Sequence, residues 1–261
     1  MTAIIGKSRE RDATSASFVD QAPRPHKSGQ EWRWRFKEPR VAGIDIGIWG
    51  GDIIEAKDFD AWVNPENTDM EMAHYYHDSI SGIIRHMGSN WSRSFGDSDD
   101  FVFRKLLESV ARSWGVHRPV PSASVFSTPA GKLSRTNRVK MIYHVACAIP
   151  RDAARPGCGV KPSGDLDECM RNVIRAIGKT NRRRPVIRSV LVPLMSAGTG
   201  RGEIRSVSEI LVNAACDEIV ENGAVGLERL MFLAHSPRED EMIAGALDSR
   251  SDLEQRTSDR R

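Results

Sequence analysis

The chain has 261 residues, 39% of them hydrophobic and 28% charged, with a formal net charge of +3 and an isoelectric point near 8.7. That length allows one large or two small domains around a buried core, and the slight positive balance argues against a dedicated nucleic-acid binder. Cys147, Cys158, Cys169 and Cys216 form no C-x-x-C pair and have no histidine at zinc-finger spacing, which argues for reduced thiols rather than a disulfide framework or a metal site.

Residues 1–35 are polar and broken by Pro23 and Pro25, and they read as a disordered or extended arm. They lack the apolar stretch of a signal peptide, and no later run reaches membrane-span length; cytoplasm is the expected compartment. Trp32, Trp34 and Phe36 alternate with Arg33, Arg35 and Lys37. The period of two predicts an edge strand, although a basic-aromatic patch for nucleic acid has the same pattern.

Further strands are predicted over residues 41–49, 61–63 (stopping at Asn64-Pro65), 124–127, 141–148, 186–194 and 230–234. Helical periodicity covers residues 70–87, 99–114, 166–179 and 204–220. Strands interleaved with helices predict a mostly parallel sheet covered on both faces. Residues 36–248 therefore read as one domain, and residues 249–261 as a charged tail.

In such sheets, ligands bind where strands end and loops lead into helices. One junction runs Ser196-Ala197-Gly198-Thr199-Gly200-Arg201-Gly202 between a strand and a helix. Glycines there let successive backbone N–H groups converge on an anion, and the free amides of the helix that follows add to the site. Arg201 adds a charge or points into water. A second junction, Asp60 to Asn67, sets Asn64, Glu66 and Asn67 at a strand end. These side chains suit ribose hydroxyls, and equally suit turn and cap geometry. Asp52, just beyond Gly50-Gly51, fits an exocyclic amine or an ordinary turn.

In order and spacing, these segments resemble a macro domain, the ADP-ribose-binding module. Gly51-Asp52-Ile53-Ile54 is similar to G-D-I-T, and Asp60 to Asn67 is similar to D-A-I-V-N-A-A-N. Ser127 to Leu133 resembles a T-x-G-x-L stretch, residues 141–145 the strand I-I-H-x-V, and Ser196 to Gly200 the loop S-x-G-x-x-G. The resemblance implies a three-layer α/β/α sandwich around a mixed, mostly parallel sheet. It also implies that Asp52 takes the adenine amine, that Ile53 lines the adenine pocket, and that Asn67 meets the distal ribose. Residues 196–202 would wrap the diphosphate. One segment departs from the family: its glycine-rich first loop is replaced by Asn67-Thr68-Asp69-Met70-Glu71 and a run free of glycine until Gly82.

Two functions follow as expectations. One is binding of ADP-ribose or a related NAD-derived nucleotide, free or attached to a macromolecule, with no cofactor. The other is hydrolysis of an ADP-ribosyl linkage on a protein, nucleic acid or small ester, for which Asp69 and Glu71 are the candidate acid-base residues, ahead of Glu66. The same carboxylates also suit a helix N-terminus. The Arg182-Arg183-Arg184 run reads as a solvated loop, and His144 as a core histidine. His74 and His77 lie one helical turn apart without a third ligand, so no metal is expected.

Overall fold

The apolar runs fold as the centre of one sheet. The computed structural model describes residues 28–91, 99–115, 117–150, 160–162, 164–183, 187–196 and 203–256. In chain order the elements are β1 (Gln30–Phe36), β2 (Asp45–Gly50), β3 (Ala61–Asn67), α1 (Ile80–Gly88), α2 (Phe101–Ser113), β4 (Val125–Pro129), α3 (Leu133–Thr136), β5 (Met141–Pro150) and β6 (Val160–Pro162). They continue as α4 (Leu166–Asn181), β7 (Ser189–Pro193), α5 (Ile204–Asn222), β8 (Arg229–Ala234), α6 (Pro237–Asp248) and β9 (Leu253–Gln255).

The strand order is β4-β5-β3-β7-β8-β2-β1-β9, with β6 on β5. Neighbours from β5 through β2 are parallel, and β4, β6, β1 and β9 pair antiparallel. This is the expected mixed, mostly parallel sheet. Alternation along the strands divides the core in two. Ala61, Val63, Leu230 and Phe232 face α4, α5 and α6; Trp62, Met231 and Leu233 face α1, α2 and α3. The molecule is therefore a three-layer α/β/α sandwich. No helix among the described residues is long and apolar enough to cross a membrane.

The structure changes several expected boundaries. β1 is not the edge strand, because β9 pairs with it from Trp34 to Phe36. Leu253, within the stretch read as a tail, is buried there. Trp34 and Phe36 are also buried, and the Trp34 Nε1–H donates to Asp248 at 2.9 Å. Arg33 pairs with Glu31 and Asp45, and Arg35 lies 3.8 Å from Asp45. Trp34 and Phe36 are therefore not available to stack on bases, and Arg33 and Arg35 each lie beside an acid. At Gly47 the two strands approach so closely that a Cβ would overlap the Trp32 carbonyl oxygen.

β3 runs through Asn64-Pro65 to Asn67 rather than stopping. Beyond Trp62 it pairs on the β5 side only, an edge-like setting that tolerates proline. The helix expected over residues 70–87 begins only at Ile80. The preceding segment is fixed by other means. Asn67 Oδ1 accepts from Asp69 N at 2.9 Å and Glu71 N at 3.4 Å, Met70 adopts φ +52°, and Met70 and Met72 are buried. The methionines that mimic a helical stripe are anchors of an irregular segment. α6 went unassigned in the sequence, yet Ser236 caps it by accepting from Glu239 N at 3.3 Å, with Pro237 in its first turn.

Candidate functional site

The parallel strands end together, and their C-terminal ends open into a cleft of about 810 Å³. That is within the roughly 300–1,000 Å³ usual for small-molecule sites. β3 contributes Pro65, Glu66 and Asn67; β5 contributes Cys147 and Ala148; Asp52 and Ile53 follow β2, and Ser196 follows β7. Glu71, Ala73, residues 77–81 and Ile83 form the outer wall.

Gly51 has φ +135°, and a Cβ there would lie 2.5 Å from Ser28 Oγ. Glycine therefore permits the turn that carries β2 into the site. Asp52 then caps a single 3-10 turn, Ile53–Glu55, by accepting from Ile54 N at 3.0 Å. This uses one carboxylate oxygen and leaves the other free to meet a ligand. Ile53 is buried at the cleft wall.

Asn67 lines the cleft, but its side chain is also committed locally: besides the two amides on Oδ1, its Nδ2 donates to the Glu71 carbonyl at 3.2 Å. Glu71 lines the cleft and is exposed; Asp69 is half-buried and is not among the lining residues. Of the two candidate acid-base residues, the structure brings only Glu71 to the site. His77 reaches the cleft from an irregular segment, so His74 and His77 are not a helical pair.

Asn64 does not line the cleft. It is fully buried, with Nδ2 2.7 Å from Glu66 Oε1 and 2.9 Å from His144 Nδ1. Its neighbour in this network is Glu66, which the sequence placed behind Asp69 and Glu71. Glu66 is 4% exposed, lines the cleft and accepts a second hydrogen bond on Oε1 from Ser81 Oγ at 2.5 Å. Burial pushes its carboxyl up to about 8, against the Ser81 and Asn64 hydrogen bonds and the Arg85 charge. His144, bonded to Thr128 at 2.9 Å through Nε2, is pushed by burial down to about 3 and stays neutral. Its Nδ1 accepts from Asn64, so its proton sits on Nε2. The signal in the sequence was Glu66 itself, a carboxylate where the resembling motif carries alanine.

Ser196 is buried with φ +64°, and its hydroxyl donates to the Cys147 carbonyl at 3.0 Å. Ala197, Gly198, Thr199, Gly200, Arg201 and Gly202 lie outside the described residues. Beyond them, Glu203 caps α5, accepting from Arg205 N at 3.3 Å and Ser206 N at 2.9 Å. These helix amides, expected to be free for an anion, are taken by a carboxylate. Arg182 and Arg183 follow α4 in an exposed turn, and Arg184 lies outside the described residues.

No protein-family model matches the chain, and no curated protein matches it. Solved structures do. A mutant Oceanobacillus iheyensis macrodomain with ADPR superposes at TM-score 0.56 and 16% identity, covering 79% of this chain and 93% of that one. A Trypanosoma brucei macrodomain in complex with ADP-ribose gives 0.55 and 14%, covering 81% and 73%. The chain has the macrodomain fold. An Oceanobacillus iheyensis macrodomain with ADP gives 0.54 and 17%, covering 78% and 90%. At these identities the likeness establishes the macrodomain architecture, and the chemistry must be argued from this chain's own cleft.

Proposed function

We propose that this macrodomain-fold protein binds ADP-ribose, or a related NAD-derived nucleotide, free or attached to a macromolecule. The observation that carries this reading is convergence. Asp52, Ile53, Asn67 and Ser196, distant in sequence, line one cleft at the ends of β2, β3 and β7. An amine acceptor, an apolar wall and polar groups at a second strand end suit a molecule with a base at one end and ribose at the other. Similar structures crystallised with ADP-ribose and ADP support the same ligand class. In this reading Asp52 accepts from the adenine amine and Ile53 packs against the ring. Asn67 meets the distal ribose, and residues 196–202 hold the diphosphate.

Calorimetric titration of ADP-ribose tests it. Saturable binding that Asp52→Ala weakens supports the reading; absence of binding at millimolar ligand contradicts it.

Hydrolysis of an ADP-ribosyl linkage is a second reading, favoured by the position of Glu71 on the cleft wall. Release of ADP-ribose from modified protein by wild type, lost in Glu71→Gln, would establish it. No release by wild type leaves a binding protein.

A further inference from the structure

The wall beside Asn67 carries a buried acid whose two oxygens are treated differently. Glu66 Oε1 is saturated by Asn64 and Ser81. Both partners carry a proton to donate to it. Ser81 Oγ accepts from Ala73 N at 3.0 Å and keeps its own proton to donate to Glu66. Asn64 Nδ2 donates to the unprotonated Nδ1 of His144 as well as to Glu66. Oε2 makes no hydrogen bond among the described residues, and Glu66 is part of the cleft wall. With both of these donors on Oε1, Oε2 is the oxygen left to carry an acid proton at the cleft wall.

We infer that Glu66 meets the ligand as a neutral carboxylic acid, donating from Oε2 to a phosphate or ribose oxygen, and that its ionisation weakens binding. The inference rests on the ADP-ribose reading. Ionisation acts twice in the same direction: the donor is lost, and a negative charge appears beside an anionic ligand.

The surrounding groups isolate Glu66 as the buried group that changes charge near neutrality. His144 of β5 stays neutral. Cys147, also of β5, is pushed by burial up to about 12, and its thiol donates to the Glu66 carbonyl at 3.7 Å. On α1, Arg85 acts on Glu66 through its charge and is paired with Asp100 at 2.5 Å. Glu71, His77, Asp78 and Asp52 face the cleft from the outer wall and the β2 end, as do His235 and Glu239 beside α6. All of these remain when Glu66 alone is replaced.

The test is the affinity for ADP-ribose from pH 6 to pH 9, for wild type, Glu66→Gln and Ser81→Ala. Wild-type affinity is expected to fall about tenfold by pH 9, with one proton taken up per ligand bound above pH 8. Glu66→Gln, permanently neutral, should lack that fall. Ser81→Ala removes a donor that favours the ionised form, so the fall should move to higher pH; this variant decides the matter if Glu66→Gln does not fold. Flat wild-type affinity, or a fall that Glu66→Gln retains, overturns the inference and leaves the ADP-ribose reading standing. No binding by any of the three at any pH overturns that reading, and the inference with it.

Discussion

The two ends of the cleft are built on different principles. At the end of β2, the ligand-facing acid is held locally: Gly51 turns the chain, and Asp52 caps the 3-10 turn that follows. At the end of β3, it is long-range. Glu66 is held by Ser81, 15 residues away, and joined through Asn64 to His144, 80 residues from that asparagine. A local end tolerates loss of its side chain with little change in folding. A network end ties ligand chemistry to stability, because each buried polar group depends on the next.

Removing the hub should give the largest effect. Asn64→Ala leaves His144 Nδ1 without its donor and takes one of two donors from Glu66. A loss of roughly 4 kcal/mol in urea unfolding is expected; a loss below about 1 kcal/mol would show that the network does not hold this end together.

The next effect is on pH dependence. Folding raises Glu66 from 4.5 to about 8, so the folded protein keeps a proton that the unfolded chain releases. This group withdraws stability as pH rises from 4.5 to 8, and the loss is complete above that. Glu66→Gln removes the effect, so its stability relative to wild type should grow by roughly 2 kcal/mol between pH 6 and pH 8. A constant difference would contradict the account. His144 works the other way, since folding lowers it from 6.5 to about 3. Its contribution is lost as pH falls through that window.

Asp52→Ala should separate function from stability at the other end. Loss of a charged acceptor is expected to weaken ADP-ribose roughly tenfold to a hundredfold, with less than about 1 kcal/mol lost from folding as a cap is removed. Equal loss of both would make the two ends alike. The smallest effect is expected from Asp69→Asn, whose side chain stands outside the cleft lining; a tenfold change in affinity would return Asp69 to the site.

The same contrast explains what was legible in the sequence. The continuous apolar runs of β5, β7 and β8 and the turn at Gly51-Asp52 are local signals, and they lead directly to the central sheet and one end of the cleft. Residues 70–79 misled, because Met70 and Met72 are buried as single anchors while periodicity counts them as a helical face. Asn64 and Glu66 share one short motif, yet the first is internal and the second lines the cleft. Only the packing of α1 and β5 against β3 separates their roles. β9 was missed because three residues with one apolar side chain carry almost no pattern.

The central claim is that ADP-ribose occupies the cleft, and amide chemical-shift mapping with ADP-ribose tests it most directly. The account predicts saturable shifts at residues 51–53, 66–67 and 194–196. Shifts elsewhere, or none at millimolar ligand, would contradict it.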